Sequence, residues 1–224
     1  MKIKVCGMKH PHNIQELLQH NPDFIGFIFY EKSPRFFGDS CGIIDTNGIV
    51  ETHGRASQPE TTKKIGVFVN ETVENILKIA EKYHLDGIQF HGKESPEECL
   101  QIREKGLLTI KAFNVENKED FEQTKPYEYV VDFFLFDTRL PPAPSEGGRA
   151  YGGTGIKFDW QILKQYKGET PFFLSGGISE SDAETIKSLH LPQLYAVDIN
   201  SRFEIEPGLK HIENIKKFIT HIRN

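Results

Sequence analysis

Eight short apolar, β-rich runs recur along the chain, most of them followed by a helix-like stretch, and this order limits the fold more than any other feature. The runs are KIKVC (2–6), FIGFIF (24–29), KIGVFV (64–69), DGIQF (86–90), LLTIKAF (107–113), YVVDFFLFD (129–137), PFFLS (171–175) and LYAVDI (194–199). Most lack the strict apolar/polar alternation of a sheet with one wet face, which fits parallel strands covered on both sides. Helix-like segments cover 12–20, 72–84, 95–105, 117–125, 158–166, 179–189 and 208–222. Ser95 before Pro96, Glu97 and Glu98 is a strong helix start, because a hydroxyl cap, an early proline and early acids suit the exposed N–H groups. Strand then helix, repeated, predicts an α/β protein with a single (β/α)₈ barrel spanning 1–224. The 224 residues are close to the roughly 250 such a barrel needs. An open doubly wound sheet would have fewer strands and a glycine-rich first turn, whereas the first turn here is Cys6-Gly7-Met8. One interval breaks the repeat: residues 38–62 carry scattered Gly, Asn, Asp and Pro, so the second helix is expected to be short or irregular.

A formal charge of −5 argues against a nucleic-acid or anionic-membrane surface, since both require clustered Lys and Arg. The N-terminus lacks the apolar core of a signal peptide, and no run approaches the eighteen apolar residues of a membrane span. A cytoplasmic location is the expectation. Cys6, Cys41 and Cys99 are odd in number and widely spaced, so neither a disulfide framework nor a zinc knuckle is indicated. Cys41 and His53 lack close ligand spacing, and a solvated loop is the better reading of their segment than a metal site.

In a barrel the catalytic side chains project from the C-terminal strand ends. That rule selects Cys6, Tyr30 with Arg35 just beyond, Asn70, His91, Asn114, Asp137, Ser175-Gly176-Gly177 and 198–201. A thiol at Cys6 becomes a base if a cation lowers its pKa; the alternative is an inert packed cysteine. Strand alternation puts Lys4 on the same face, one layer deeper, where its ammonium would help hold a thiolate. Asp137 ends a strongly apolar run and suits a general acid, or else caps the following loop. Arg35 can hold a carboxylate in a two-pronged grip, although a lone loop arginine is ordinarily a surface charge. Glycine turns at 151–155 and 175–177, with the turn at 198–201, could admit a phosphate, because glycine allows close backbone approach to an anion. His91 reads as a pocket-wall or hydrogen-bonding histidine. A metal-dependent epimerase would need further ligands on other strand ends, and the second strand offers none.

Taken together, KVCGM, GFIFYEKSPRFF, GVFVNET, GIQFHG, IKAF, LFDT, GGTGIKFDW, LSGGI and AVDINS resemble, in order and over nearly the whole chain, the successive signatures of the phosphoribosylanthranilate isomerase family. The resemblance implies an Amadori rearrangement in tryptophan biosynthesis, from N-(5-phospho-β-D-ribosyl)anthranilate to 1-(2-carboxyphenylamino)-1-deoxyribulose 5-phosphate. It further implies Cys6 as general base, Asp137 as general acid and Arg35 as the grip on the anthranilate carboxylate. Gly176, Gly177, Asn200 and Ser201 would lie in the phosphate turns, with Gly153 and Gly155 closing nearby and Asp198 and His91 lining the pocket. No metal or organic cofactor is implied. The expected partner is a small phosphorylated sugar, and the enzyme would be a monomer or a homodimer. After the eighth strand the family usually reads close to DVSSGVE, whereas this chain reads DINSRFE, with Arg202 where a glycine is expected. Two rivals remain: the histidine-pathway aminoaldose isomerase, which would carry an aspartate where Cys6 stands, and a barrel that binds a phosphorylated ligand without turnover.

Overall fold

The computed structural model describes residues 1–38, 62–138 and 159–224. Strands β1 (Lys2–Val5), β2 (Phe24–Ile28), β3 (Lys63–Phe68), β4 (Gly87–Phe90), β5 (Leu108–Val115), β6 (Phe133–Thr138), β7 (Phe172–Leu174) and β8 (Leu194–Ile199) close into a barrel in chain order. Every neighbouring pair is parallel, including β8 with β1, where Lys4 lies opposite Asp198. All eight expected strands form, and the continuous apolar runs find cover on both faces. The sixth begins at Phe133, because Asp132 turns back to accept from the Thr109 N–H at 2.8 Å and from the Arg103 Nε at 3.1 Å.

The outer ring holds helices α1 (Pro11–Leu18), α2 (Val73–Tyr83), α3 (Pro96–Arg103), α4 (Ala183–Ser188) and α5 (Ile212–Arg223). Ser95 caps α3 as expected: its hydroxyl accepts from the Glu98 N–H at 3.3 Å and the Glu98 carboxylate returns to the Ser95 N–H at 2.7 Å. Two expected helices are instead 3₁₀ segments, Lys118–Tyr127 and Trp160–Gln165. Pro126 lies inside the first of them and cannot donate to a regular α ladder. The last helix starts at Ile212 rather than 208, after a small hairpin of β9 (Glu204–Glu206) and β10 (Leu209–Lys210). The expectation of an irregular second helix falls on 39–61, outside the described residues. No helix among the described residues is long and apolar enough to cross a membrane.

Two apolar clusters divide the interior. The larger lies between barrel and helices and includes Ile3, Val5, Phe68, Phe90, Phe134 and Phe172. The smaller plugs the barrel itself with Phe24, Ile65, Ile110, Leu135, Phe173 and Ala196. Alternation continues each inward face toward the C-terminal rim, so Leu135 is followed by Asp137 and Ala196 by Asp198. The barrel is therefore dry at its base and polar at its mouth.

Candidate active site

Cys6 and Asp137 are both buried at that mouth, at the ends of β1 and β6. Between them around the closed sheet come β7, ending in Gly176-Gly177, and β8, ending in Asp198 to Ser201; Arg35 follows β2 on the other side of Cys6. Gly26 of β2 makes room for the thiol, since a Cβ there would lie 2.9 Å from the Cys6 Sγ and 3.1 Å from its Cα. Both Gly176 (φ 93°) and Gly177 (φ 64°) adopt the left-handed conformations that a side chain resists. Gly153 and Gly155 lie outside the described residues. Arg202 is exposed on the 3₁₀ turn Ser201–Phe203, the position at which the sequence departs from its expected pattern.

A buried polar chain crosses the barrel beneath these groups. The Lys4 Nζ donates to the Asp198 Oδ2 at 3.0 Å and to the Gln89 Oε1 at 2.8 Å. Ammonium can only donate, so the Gln89 carbonyl faces Lys4 and its NH₂ is left for the His91 Nδ1, 3.0 Å away. His91 must then accept at Nδ1 and carry its proton on Nε2, which lies 3.7 Å from the Asp137 Oδ2. Burial first, then the charges of Lys111 and Lys4, lower the His91 pKa to about 4, so the ring is neutral near pH 7. Burial pushes the Cys6 thiol up, while Lys4 pulls it down by charge and by hydrogen bonding, Asp198 opposes, and Lys210 again pulls down. Lys4 is fully buried, yet the Asp198 and Cys6 charges outweigh its desolvation and keep the ammonium above its usual range.

Arg35 is already engaged. Its Nε donates to the Glu204 Oε1 at 2.9 Å and an NH2 hydrogen donates to Oε2 at 2.7 Å, so one edge of the guanidinium is closed by a carboxylate from β9. A ligand carboxylate would have to use the other edge. Glu204 also accepts from the Lys210 Nζ at 2.7 Å and from the Gly208 N–H at 3.0 Å. Burial works against the Glu204 anion, but Arg35 and Lys210 hold its pKa below the usual range. This cluster packs closely over Gly7, at φ 73°: a Cβ would lie 2.8 Å from both the Arg35 Cδ and the Asn200 Oδ1. Gly7→Ala is expected to cost about 1–3 kcal/mol in urea denaturation, through the left-handed backbone and the displaced neighbours. An unchanged unfolding midpoint would refute that account.

Of the residues singled out from sequence, the structure gathers Cys6, Asp137, Arg35, His91, Asp198, Gly176, Gly177, Asn200 and Ser201 at one rim. It adds Gln89, Glu204 and Lys210, none of which stood out. Gln89 was findable, as it shares a face with His91 two residues on. Glu204 and Lys210 sit in a hairpin beyond the last barrel strand, where no periodic signal points inward. A further buried pair, Lys111 with Glu94 at 2.9 Å, braces the neighbouring loops, since Glu94 also accepts from the Asn70 N–H at 2.7 Å and the Gly92 N–H at 3.0 Å. No group of three or more His, Cys, Asp or Glu among the described residues could hold a metal ion.

Residues 3–221 match the family model described as N-(5'phosphoribosyl)anthranilate (PRA) isomerase. The N-(5'-phosphoribosyl)anthranilate isomerase of Parabacteroides distasonis is 49% identical over 222 residues, covering 99% of this chain and 93% of that protein. Among solved structures, the phosphoribosyl anthranilate isomerase of Thermotoga maritima superposes with a TM-score of 0.79 at 30% identity, covering 100% of this chain and 98% of its own. A phosphoribosyl anthranilate isomerase in complex with reduced 1-(o-carboxyphenylamino)-1-deoxyribulose 5-phosphate gives a TM-score of 0.76 at 28% identity, covering 100% of this chain and 98% of its own.

Proposed function

Since the chain belongs to the N-(5'-phosphoribosyl)anthranilate isomerase family, we propose that it carries out that family's Amadori rearrangement in tryptophan biosynthesis with Cys6 as general base and Asp137 as general acid. The observation that carries the assignment is the burial of these two groups at one rim, flanking the glycine turn after β7 and the Asn200 turn after β8. A sugar phosphate held by those turns would lie between an acid and a base. The reduced aminoketose phosphate in the related crystal structure supports the same substrate class.

In this reading, protonated Asp137 gives its proton to the furanose ring oxygen. The C1′–O bond breaks as the anilino nitrogen lone pair forms the iminium. The Cys6 thiolate then removes the C2′ proton, and the C–H electrons move to the iminium and yield an enolamine. Loss of the enol O–H proton and protonation at C1′ complete the aminoketose, so no atom is gained or lost. The iminium charge acidifies C2′ and stabilises an adjacent thiolate, which offsets the burial that raises the Cys6 pKa. Lys4 supports the thiolate from below. Neutral His91, with its N–H toward Asp137, favours the carboxylate left after proton transfer and takes no proton itself.

Arg35 is assigned the substrate carboxylate through the guanidinium edge that Glu204 leaves open. Arg35→Ala is expected to raise KM for phosphoribosylanthranilate by about 10- to 100-fold with a smaller change in kcat, the loss of one charged hydrogen-bonded grip. The check is the fluorescence of freshly generated phosphoribosylanthranilate, followed on mixing with wild type and variant without added metal. A wild type that binds the aminoketose product but leaves substrate unconverted would overturn the isomerase reading. An unchanged KM in the variant would overturn the role of Arg35 alone.

A further inference from the structure

Lys210 is the least expected charge in the molecule. It lies beyond the eighth strand in the β9–β10 hairpin, yet its side chain has no solvent exposure. Its main chain is locked in place, because the Asn13 side chain of α1 accepts from the Lys210 N–H at 2.7 Å and donates to its carbonyl at 2.9 Å. The ammonium reaches inward to the Asn200 Oδ1 at 2.6 Å and the Glu204 Oε1 at 2.7 Å. Asn200 packs under Gly7, the residue after Cys6, and Glu204 closes one edge of Arg35. A buried lysine costs stability unless its charge is used.

We infer that Lys210 is a positioning residue for the proposed reaction: it ties the Asn200 turn to the Arg35–Glu204 pair and, through Asn200 packed against Gly7, brings a second cation, after Lys4, to the Cys6 end of the site. The inference rests on the proposed function for its purpose, but not for its geometry. Because ammonium can only donate, Lys210 takes the Asn200 carbonyl and leaves the Asn200 NH₂ as a donor for an anion. With Glu204 shared between Lys210 and Arg35, the cluster keeps one net positive charge where a phosphate and a carboxylate are to be held.

Among the described residues, the charges around these groups come from β1, β8, the hairpin and the loop after β2. Cys6 faces Lys4 from its own strand, Asp198 from β8 and Lys210 from the hairpin. Lys210 faces Glu204, Cys6 and Arg35. Burial lowers the Lys210 pKa to about 8, Glu204 and Cys6 pull it up and Arg35 pulls it down, so near pH 7 the ammonium is charged and close to titration.

The test is the pH dependence of iodoacetamide alkylation at Cys6, resolved by peptide mass spectrometry, in wild type, Lys210→Met and Lys210→Gln. Buried Cys99, whose thiol burial pushes up to about 12, reports folding by staying unreactive. In both variants Cys6 alkylation at pH 7, where Lys210 is charged in wild type, is expected to slow by about tenfold, the effect of one nearby charge in a partly screened interior, and the Cys6 midpoint to rise by a smaller step, because Lys210 loses its proton before Cys6 does. Inorganic phosphate is expected to slow alkylation of wild type, and several-fold more phosphate should be needed in the variants. Glutamine keeps a hydrogen-bond donor but no charge, so a purely structural lysine predicts a wild-type rate for Lys210→Gln. A folded Lys210→Gln that is alkylated at Cys6 as fast as wild type at pH 7 would overturn the inference. If phosphate fails to protect wild type, the phosphate-turn reading falls and Lys210 is judged on that rate. Should both variants expose Cys99, the Lys210 ¹³Cε resonance of wild type is titrated before and after capping Cys6 with methyl methanethiosulfonate. A lower Lys210 midpoint after capping supports the coupling, and an unchanged one overturns it.

Discussion

Asp137→Asn is expected to lower kcat for phosphoribosylanthranilate by about 10²- to 10⁴-fold while changing KM little. The amide keeps the size of the carboxyl, so the buried site at the end of β6 stays filled. What it cannot do is release a proton to the ring oxygen. His91 does not replace it: it faces Asp137 at 3.7 Å, but with a pKa of about 4 it is neutral near pH 7, and its Nε2 proton is far too weakly acidic. Cys6→Ala is expected to fall as far, because in the proposed mechanism the base step follows the acid step on the same intermediate. The double variant should be no worse than the weaker single one, as the two groups act as a unit. Steady-state fluorescence assays of the three variants decide the matter. A kcat within tenfold of wild type for Asp137→Asn would remove Asp137 from the proposed mechanism, and additive losses would separate the pair.

Lys4→Met is expected to cost about 3–5 kcal/mol of stability, because it strands a buried partner. Asp198 is buried and its Oδ2 is held by Lys4, while its Oδ1 has no partner among the described residues. Without the ammonium that carboxylate must stay charged in a dry site or take up a proton. Gln89 would lose the donor that fixes its carbonyl and would be free to turn, and the His91 tautomer would no longer be dictated. Adding Asp198→Asn to Lys4→Met is expected to recover part of the loss, which is the signature of a coupled pair. Both partners lose stabilisation as pH rises, but in different windows: the Lys4 pKa lies above the ordinary value, so its share persists through the neutral range and fades only as strong alkali strips the ammonium, whereas burial raises the Asp198 pKa, so its share weakens as pH rises past the ordinary carboxylate range. Urea melts of the two variants measure this, and a Lys4→Met protein within 1 kcal/mol of wild type would refute the pairing. The same variant should raise the Cys6 alkylation midpoint, and an unmoved midpoint would show that Lys4 has no hold on the thiol.

The two experiments probe different links. The first concerns the proposed proton transfer at the rim, and the second the polar layer beneath it. Their separation matters, because loss of the lower layer would disturb the upper one through Gln89 and His91 without touching substrate.

Much of this molecule was legible in its order of residues. The eight strands, their parallel pairing and the capped start of α3 follow from local rules: short apolar runs, period-two faces and side-chain caps act over a few residues and need no knowledge of the rest. The rule that barrel chemistry sits at strand ends then pointed to Cys6, His91, Asp137 and Asp198 before any contact was known. Even the inward face of Lys4 followed from its spacing to Cys6. Local rules were less sure where elements end. Asp132 shortened the sixth strand by bonding Thr109 on its neighbour, and the stretches over 118–127 and 160–165 wound as 3₁₀ segments rather than α-helices.

Tertiary structure alone decided the charges around the site. Nothing in the run PGLKH announces that Lys210 is sealed from water, or that Glu204 would meet Arg35 across 169 residues of chain. Nor does a strand-end cysteine reveal whether burial or neighbouring ammonium groups govern its thiol. Strand identity is set by interactions along the chain, within a few residues, whereas an ion pair or a pKa is set by distances through space at low dielectric. Only closure of the barrel, which brings β8 beside β1 and folds the hairpin back over Gly7, fixes those distances.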